Sequence, residues 1–592
     1  MKTILTTLNS KFTHTSLALR VIGNWLAERE IEANWVEYTI NTPIYNIIGD
    51  LYRQKPDVLI FSVYIWNAKE SRQIAAQLKK LLPEMLIVFG GPEVSFDSAA
   101  ELKTYPFIDF ITRGEGESVT ENLLLELGKT PEERSYKPIL GLTWRDEMEV
   151  IVNGDQQLLL MDLVAFPYPD LEQLSHRILY YESSRGCPFN CSYCLSSATK
   201  GVRFRSDELV RSDLMRFIAS KVTQVKFIDR TFNANPSRAL ELWKFLADED
   251  LGYTNFHFEI TAELLREEDI EFLKMVRIGL FQFEIGIQTT MEAASEAVNR
   301  RLSFHQLKVP VKALLEAGNI HIHVDLIAGL PHEGYERFLQ SFDDVYALNP
   351  HVLQLGFLKL IKGSEIRKNR EVHGYIFEDY QPYEVLQTRY ISFDELLLLK
   401  DLEECLEHLH NSKRFAYTLE YLMAISESPS QFYVTFSTWV RIKGYFEEAI
   451  KLERWYELLW LFCVDQKSNQ VDLLILRANL LLDFISSLGK YPPEWLSGKM
   501  TTDVKAETFE LVKTKSFELM FPHLLELSAK ERVKRIRFMG VTKGLTEAMQ
   551  QILVDRVIKI ETKVCFDGIL IVELSKKHVI TERYETYLFI EE

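Results

Sequence analysis

Short apolar runs alternate with amphipathic segments over residues 1–130. The strand-like runs are residues 4–8, 36–39, 57–62 and 85–90. Between them, helical periodicity is clearest in residues 16–28, where Leu17, Val21 and Trp25 lie on one face. Strands that alternate with helices indicate a parallel, doubly wound sheet, which binds ligands at the carboxyl ends of its strands. We therefore predict an N-terminal α/β domain with a Rossmann-like ligand edge.

Period-two alternation of apolar and polar residues marks the middle of the chain. The alternating runs are residues 256–261, 281–288 and 320–326. Such alternation usually indicates an antiparallel sheet with one solvated face, whereas the helical segments between these runs favour parallel strands. A complete parallel barrel fills its interior with apolar side chains, but here the apolar face would lie under the helices. We predict an incomplete barrel with a polar, ligand-binding lumen over residues 176–375.

The remaining segments show no recognisable chemistry. Residues 131–175 contain several prolines and glycines and are predicted to form a linker. Residues 376–592 are mainly helical by pattern, and the tail from Ile560 to Ile590 alternates like two or three strands. We assign residues 376–592 to a mainly helical C-terminal domain of unknown role.

Composition and charge exclude several classes of protein. The chain has 592 residues, of which 47% are hydrophobic and 26% charged, as in an ordinary globular protein. A net charge of −17 argues against general nucleic-acid binding. No signal-peptide pattern is visible, and the longest apolar stretches are too short to span a membrane. Six cysteines do not form a disulfide framework in so long a chain, so we expect a cytoplasmic protein in a reducing compartment.

Three cysteines cluster directly after a strand-like run, residues 178–181. Cys187, Cys191 and Cys194 lie within eight residues and can share one metal centre, because soft sulfur ligands select iron–sulfur clusters, zinc or copper. Structural zinc normally takes four ligands, and no further cysteine or histidine follows within reach, so zinc is the weaker alternative. Three cysteines on a cluster of four irons leave one iron open for a substrate or cofactor.

The cysteine loop resembles that of the radical S-adenosylmethionine enzymes. Their signature is Cys-x3-Cys-x2-Cys with an aromatic residue before the last cysteine, a place that Tyr193 holds here. The resemblance implies a 4Fe-4S cluster that binds S-adenosylmethionine at its open iron, inside a partial parallel (β/α)6 barrel. It also implies cofactor contacts from the lumen: the methionine part at Asp229 and Asn233, the ribose and carboxylate at Glu259 and Gln288, and the far side at Asp325. For each carboxylate, a structural ion pair remains the alternative.

The strand ends of the first domain resemble a cobalamin-binding domain. That family carries Asp-x-His-x-x-Gly, then Ser-x-Leu, then Gly-Gly at successive strand ends. The residues that correspond and would contact cobalamin are Asn9, His14, Ser62, Tyr64, Gly90, Gly91 and Glu93. The histidine is kept, but Phe12 replaces the aspartate and Leu17 the glycine, so His14 is either a cobalt ligand or only the start of a helix. We expect cobalamin to bind with its own base displaced and without His14 on the cobalt.

Together the two resemblances imply a cobalamin-dependent radical enzyme. The most common activity of that family is methylation of an unactivated carbon or phosphorus, and the alternative is a cyclisation or rearrangement without methyl transfer. A non-catalytic sensor of cobalamin with a structural cluster is the hypothesis from another class. The expected partners are an unknown substrate and an electron donor such as flavodoxin or ferredoxin. Both cofactors would lie at carboxyl ends of parallel strands, so we expect them to face each other across one substrate-sized gap.

Overall fold

The described part of the chain forms two compact units. The computed structural model describes residues 1–147, 149–169, 171–174, 176–198, 201–300, 303–466, 471–497, 505–560 and 567–591. The first unit comprises residues 1–320, 327–334 and 356–392. The second unit comprises residues 321–326, 335–355 and 393–592. In these ranges no helix has the length and apolar character that a membrane crossing requires.

The first unit begins with a seven-stranded sheet. Its strands are β1 (Thr3–Asn9), β2 (Ala33–Thr39), β3 (Val58–Ser62), β4 (Leu86–Gly90), β5 (Phe110–Thr112), β6 (Leu142–Asp146) and β7 (Glu149–Val152). Their order is β2-β1-β3-β4-β5-β6-β7, and the five strands from β1 to β5 are parallel. The helices that alternate with them are α1 (Leu17–Ala27), α2 (Ile44–Gln54), α3 (Ala68–Leu81), α4 (Pro92–Ser95), α5 (Ser98–Thr104) and α6 (Gly116–Leu127).

Strand β3, the middle one of the five parallel strands, is buried on both faces. Leu59 and Phe61 enter a core with residues of α2 and α3. Val58 and Ile60 enter a second core with residues of α1 and α6. A parallel strand covered on both sides has no polar face, which is why this strand reads as a continuous apolar run. The predicted doubly wound α/β fold is confirmed.

The segment predicted as a linker contributes two strands to this sheet. β6 pairs antiparallel with β5, with Leu142 opposite Thr112, and β7 pairs antiparallel with β6. The β6–β7 hairpin satisfies the backbone groups along the edge of β5, which would otherwise be unpaired. The prolines and glycines of residues 131–175 therefore flank a hairpin of the first sheet.

A second parallel sheet follows in the first unit. The strands of this region are β8 (Ile178–Tyr181), β9 (Ser184–Cys187), β10 (Gly201–Phe204), β11 (Gln224–Phe227), β12 (Asn255–Ile260) and β13 (Phe281–Gln288). The helices are α7 (Asp207–Ala219), α8 (Pro236–Asp248), α9 (Glu267–Leu273), α10 (Glu292–Ala297) and α11 (Phe304–Ala317). β8, β11, β12 and β13 are parallel neighbours in chain order, and β9 and β10 form an antiparallel pair. The pairing confirms the predicted parallel strands, and in β13 the apolar residues are the buried ones, as predicted.

Later elements divide between the two units. β14 (His321–Ala328) and β15 (Val352–Phe357) begin in the second unit and end in the first, and α12 (Tyr335–Tyr346) belongs to the second. The first unit ends with α13 (Glu365–Lys368) and the antiparallel pair β16 (Ile376–Phe377) and β17 (Val385–Gln387). β14 shows the same alternating burial as β13, as the sequence predicted.

The second unit is mainly helical and ends in a small sheet. Its helices are α14 (Phe393–Leu406), α15 (Ala416–Ile425), α16 (Pro429–Ile442), α17 (Arg454–Gln466), α18 (Leu473–Leu488), α19 (Glu494–Ser497), α20 (Lys505–Leu511), α21 (Lys515–Met520), α22 (Ala529–Lys534) and α23 (Lys543–Ile552). Its sheet has the order β18-β20-β21-β19 and contains β18 (Ile536–Val541), β19 (Val557–Ile560), β20 (Gly568–Lys577) and β21 (Tyr584–Glu591). α18 is buried almost all round, and its Asp483 is ion-paired with Arg583 at 2.7 Å. The predicted helical C-terminal region is confirmed, and Cys565 lies outside the described residues.

Candidate active site

The cysteine loop leaves the barrel after β8 and is anchored by Asp229. This buried carboxylate accepts hydrogen bonds from the Ser183 amide (2.9 Å) and from the hydroxyls of Ser183 and Ser184 (both 2.6 Å). Burial raises the pKa of Asp229, while the three hydrogen bonds act in the opposite direction. Both oxygens of Asp229 are thus engaged by the start of the loop.

Asn233 is likewise engaged by the protein. Its side-chain nitrogen donates to the carbonyl of Thr261, and its side-chain oxygen accepts from the Thr261 amide, both at 2.9 Å. Because Thr261 directly follows β12, this pair ties the segment after β11 to the end of the next strand. The predicted cofactor contacts of Asp229 and Asn233 stay predictions, and the hydrogen bonds observed are structural.

The three cysteines lie on β9 and just beyond it. Cys187 ends β9, and burial raises the pKa of its thiol. Gly186 has a φ of +98°, and a side chain there would collide with the carbonyl oxygen of Gly201 on β10. In the described ranges, no three His, Cys, Asp or Glu side chains gather around a point that could hold a single metal ion. Three thiols of one loop are the donor set of a cluster with one open iron.

Buried acceptors without partners lie close to Arg300. Neither carboxylate oxygen of Glu263 nor the side-chain oxygen of Gln288 has a hydrogen-bond partner among the described residues. Arg300 donates to the hydroxyl of Tyr193 at 3.3 Å, and its guanidinium lies 3.9 Å from the sulfur of Cys191. Buried acceptors normally have a donor, so these atoms fit a polar ligand such as S-adenosylmethionine.

Sequence analysis did not identify Glu263 or Arg300. Glu263 lies in the 3-10 turn Ala262–Leu264, directly after β12, and Arg300 lies in the turn after α10. Neither residue belongs to a motif. The usable signal was limited to Glu263, a charged residue three positions after a predicted lumen strand, since Arg300 lies twelve residues beyond the end of β13.

The carboxyl edge of the first sheet borders a cavity of about 910 Å³, here called the groove. Ser62, Tyr64, Gly90 and Gly91 all line it, and their contacts with cobalamin stay predictions. A Cβ at Gly90 would lie 2.5 Å from the Thr112 hydroxyl, and one at Gly91 would lie 2.5 Å from the Val63 carbonyl. The volume lies at the upper end of the range for cofactor sites. Two glycines and a large cavity at this edge fit the tail of cobalamin.

A second cavity of about 570 Å³, here called the chamber, adjoins the groove. Asn9, His14 and Tyr64 line it from the strand ends of the first sheet, and Lys226 and Glu259 line it from the barrel. The two cavities share lining residues, which are Ala18, Ile22, Tyr64, Gly114, Glu115, Gly116, Glu182, Arg185, Ile228 and Arg230. The fold therefore brings predicted residues of both domains to one space.

His14 is held against the barrel by Tyr180. Its Nδ1 is hydrogen-bonded to the Tyr180 hydroxyl, and the carbonyl of the preceding Thr13 accepts from the Ile178 amide at 2.8 Å. Burial lowers the pKa of His14, and the charges of Lys11 and Lys226 lower it further, so the imidazole is neutral near pH 7. A phenol thus occupies the place where a metal-bound histidine usually has a carboxylate.

We expect His14 not to ligate cobalt, because a phenol makes the imidazole less basic than a carboxylate does. The measurement is electron paramagnetic resonance of the cobalt(II) form of the cobalamin-loaded protein. Wild type should show no nitrogen splitting from a histidine, and His14→Ala and Tyr180→Phe should leave the spectrum unchanged. Nitrogen splitting in wild type that disappears in His14→Ala would show that the expectation is wrong.

An ion-pair network joins the end of the first domain to the cysteine loop. The guanidinium of Arg185 contacts the carboxylates of Glu182 (2.8 Å), Glu117 (2.5 Å) and Glu115 (3.6 Å). Burial opposes the charge of Arg185, but Glu182 and Glu117 outweigh it and raise its pKa. Because Arg185 lies two residues before Cys187, the network connects the cluster loop to residues that border both cavities.

Two predicted contacts lie elsewhere. Glu93 is not among the residues that line either cavity, and it is buried against Lys362 (3.2 Å) and Gln381 (2.7 Å). Asp325 lies in the part of β14 that belongs to the second unit, where its carboxylate is 3.3 Å from Nε2 of His323. Both side chains have protein partners, and their cofactor contacts stay predictions.

Three family models match successive parts of the chain. Residues 4–124 match "B12 binding domain", residues 181–345 match "Radical SAM superfamily", and residues 371–555 match "Protein of unknown function (DUF4080)". The first two matches imply cobalamin, a 4Fe-4S cluster and S-adenosylmethionine as cofactors. The third covers much of the helical region to which the sequence assigned no role.

Known proteins share the combination of the first two domains. The chain is 26% identical over 327 residues to the cobalamin-dependent radical SAM methyltransferase TokK of Streptomyces tokunonensis, a match that covers 51% of this chain and 47% of TokK. The structure resembles the methyltransferase TsrM of Kitasatospora setae (TM-score 0.54, 17% identity, 62% of this chain and 78% of TsrM). It also resembles the radical enzyme OxsB with aqua-cobalamin bound (TM-score 0.55, 15% identity, 94% of this chain and 80% of OxsB).

The curated match is partial, since the alignment spans about half the length of TokK. The structural likenesses, at low identity, show a shared fold. Both agree with the cysteine loop, the groove at the first sheet and the chamber between the two sheets. Successive parts of the chain are thus similar to a B12 binding domain, to the radical SAM superfamily and to DUF4080, in this order.

Proposed function

We propose that the protein is a cobalamin-dependent methyltransferase that methylates an unactivated carbon, or phosphorus, of its substrate. The observation that carries this proposal is the composition of the chamber. Asn9, His14 and Tyr64 reach it from the cobalamin-binding strand ends, and Tyr180 and Glu259 reach it from the barrel. A substrate in the chamber would be within reach of both cofactor regions, and such positioning supplies much of the lowering of a barrier.

Each part of the site has a role in this proposal. When bound, the cofactors supply the radical that removes a substrate hydrogen and the methyl group that replaces it. Cys187, Cys191 and Cys194 would hold the cluster, while Gly90 and Gly91 leave room for the cobalamin tail. Glu263, Gln288 and Arg300 offer polar contacts to S-adenosylmethionine.

The walls of the chamber would protect the reaction from water. Leu17, Val21 and Ile22 of α1 form an apolar side of the chamber, together with Ile228. An apolar wall keeps water away from a reactive radical. Two molecules of S-adenosylmethionine and two electrons would be consumed for each methyl group transferred. The electrons would come from a donor protein such as flavodoxin or ferredoxin.

The test is an anaerobic incubation of the reconstituted protein with reductant and S-adenosylmethionine that carries a trideuterated methyl group. The substrate source is a metabolite extract from a strain that lacks the gene. We expect 5′-deoxyadenosine, S-adenosylhomocysteine and one product with the heavy methyl group, all detected by mass spectrometry. Cys191→Ala should abolish all three, and Cys463→Ala is the matched control.

Other outcomes would contradict the proposal. Substrate-dependent 5′-deoxyadenosine without a labelled product would favour cyclisation or rearrangement instead. Absence of both cleavage products, with cluster and cobalamin bound, would favour a non-catalytic sensor.

A further inference from the structure

The cations that line the groove and the chamber are almost all paired. Lys226 is 2.8 Å from the carboxylate of Glu284, and Arg113 is 2.7 Å from that of Asp155. Arg185 contacts three glutamates, and Arg203 is ion-paired with Glu115. Carboxylates of the protein neutralise these charges, so the paired cations would attract an anionic ligand only weakly.

Arg230 differs from them. It lies in the loop after β11 and lines both the groove and the chamber. It is exposed, and although its carbonyl accepts a hydrogen bond from the Thr231 hydroxyl at 2.8 Å, its guanidinium has no hydrogen bond or ion pair with any other described residue. Its neighbour Asp229 is bound to the two serines of the cysteine loop and does not neutralise it. Arg230 is thus an uncompensated cation at the junction of the two cavities.

Filling the cavities changes the surroundings of Arg230. Before cofactor and substrate bind, water can solvate the guanidinium. Cobalamin and substrate would displace that water, and burying a charge without a partner is strongly unfavourable. The occupant must therefore bring acceptors, and the planar guanidinium matches the two oxygens of a carboxylate or phosphate. The chamber that Arg230 lines also has an apolar side, which includes Leu17, Val21 and Ile228.

The geometry points to Arg230 as the residue that binds an oxyanion of the substrate, a carboxylate or a phosphate, in a molecule whose body is apolar. This inference rests on the proposed function, since it places the substrate between the two cofactor regions. Arg230 lies where these regions meet, so an anion bound there would fix one end of the substrate. The rest of the substrate would extend along the apolar side of the chamber.

The test uses three probes of one shape with different end groups. These are 2-naphthoate, 2-naphthyl phosphate and the neutral 2-naphthamide, and each is measured by equilibrium dialysis against the cobalamin-loaded, cluster-containing protein. We expect at least one anion to bind about 10-fold or more tightly than the amide, since hydrogen bonds to charged groups contribute about 1.5–3 kcal/mol. The better of the two anions identifies the oxyanion as carboxylate or phosphate.

Variants assign the effect to Arg230. Arg230→Gln should weaken binding of the preferred anion by about 10- to 100-fold and leave the amide unchanged. Arg230→Lys should bind the preferred anion with an affinity between those of wild type and Arg230→Gln, because a lysine keeps the charge but loses the bidentate contact. Arg53→Gln, at an exposed arginine on α2 that borders neither cavity, is the matched control.

Several outcomes would overturn the inference. Equal binding of anions and amide, or unchanged anion binding in Arg230→Gln, would show that Arg230 binds no substrate anion. Loss of cobalamin from Arg230→Gln would assign the residue to the cobalamin phosphate. If Arg230→Gln no longer forms 5′-deoxyadenosine in reactions that contain no substrate, Arg230 binds S-adenosylmethionine instead. A wild-type protein that binds neither cobalamin nor a cluster would instead refute the proposed function, which separates the two failures.

Discussion

Replacing Cys187, Cys191 or Cys194 with alanine is expected to abolish the iron–sulfur cluster. Each thiolate would ligate a different iron of the cluster, and no other cysteine lies in the described part of the loop. After anaerobic reconstitution, wild type should contain about four irons per chain and a broad visible absorbance, and each variant should contain almost none. Iron content, sulfide content and the visible spectrum are the measurements.

The second unit provides matched controls for these variants. Cys405 on α14 and Cys463 on α17 are buried, and burial raises the pKa of Cys463 to about 12. A buried thiol of that kind stays protonated and does not ligate metal. Cys405→Ala and Cys463→Ala should therefore keep the full cluster. Retention of a full cluster in the triple variant of the loop would exclude the assignment.

Asp229→Ala is expected to release the cysteine loop although it removes no ligand. The change leaves one amide and two hydroxyls of Ser183 and Ser184 without their acceptor, in a buried place. Each buried donor without a partner costs about 1–3 kcal/mol, so we expect a loss of about 3–5 kcal/mol in the free energy of unfolding. Chemical denaturation measures this loss, and iron retention after gel filtration reports on the loop.

A matched control for Asp229 is available on α9. Glu271 is exposed and ion-paired with the exposed Lys274 at 2.7 Å, so Glu271→Ala should cost less than about 1 kcal/mol. If Asp229→Ala kept both stability and cluster but lost S-adenosylmethionine binding, the anchoring role would be wrong. The cofactor contact predicted from the sequence would then be right.

The cofactor classes could be predicted because their signals are local. Cys187, Cys191 and Cys194 lie within eight residues, and Gly90-Gly91 directly follows a strand. Residues that are so close in sequence stay close in space, whatever the fold of the rest of the chain. The strands could be predicted for the same reason. The pattern of apolar residues in β3 and β13 depends only on whether both faces of the strand or one face is buried.

The roles of single lumen residues could not be predicted in this way. Asp229 and Glu259 are both carboxylates near the ends of barrel strands, and the sequence predicted a contact with S-adenosylmethionine for each of them. In the structure Asp229 binds the cysteine loop, whereas Glu259 lines the chamber. Which role a carboxylate takes depends on the donors that other segments bring to it, and those segments are distant in the sequence.

The role of His14 could not be predicted either, for the same reason. Its missing aspartate partner was visible in the sequence as Phe12, but its actual partner, Tyr180, lies 166 residues away. Likewise, Arg230 belongs to no motif, and it stands out because every other described arginine or lysine that lines the two cavities is ion-paired. Such compensation is a property of the folded molecule only.

The amino-acid sequence was enough to predict the order of the α/β domain and the barrel, the helical C-terminal region, and the chemistry of the cysteine loop. These follow from periodicity and spacing, which act over a few residues. Long-range contacts place the β6–β7 hairpin in the first sheet and bind Asp229 to the start of the cysteine loop. They also leave the guanidinium of Arg230 at both cavities with no ion pair among the described residues. Those facts depend on long-range contacts, in which burial and hydrogen bonding select one arrangement among many that the local pattern allows.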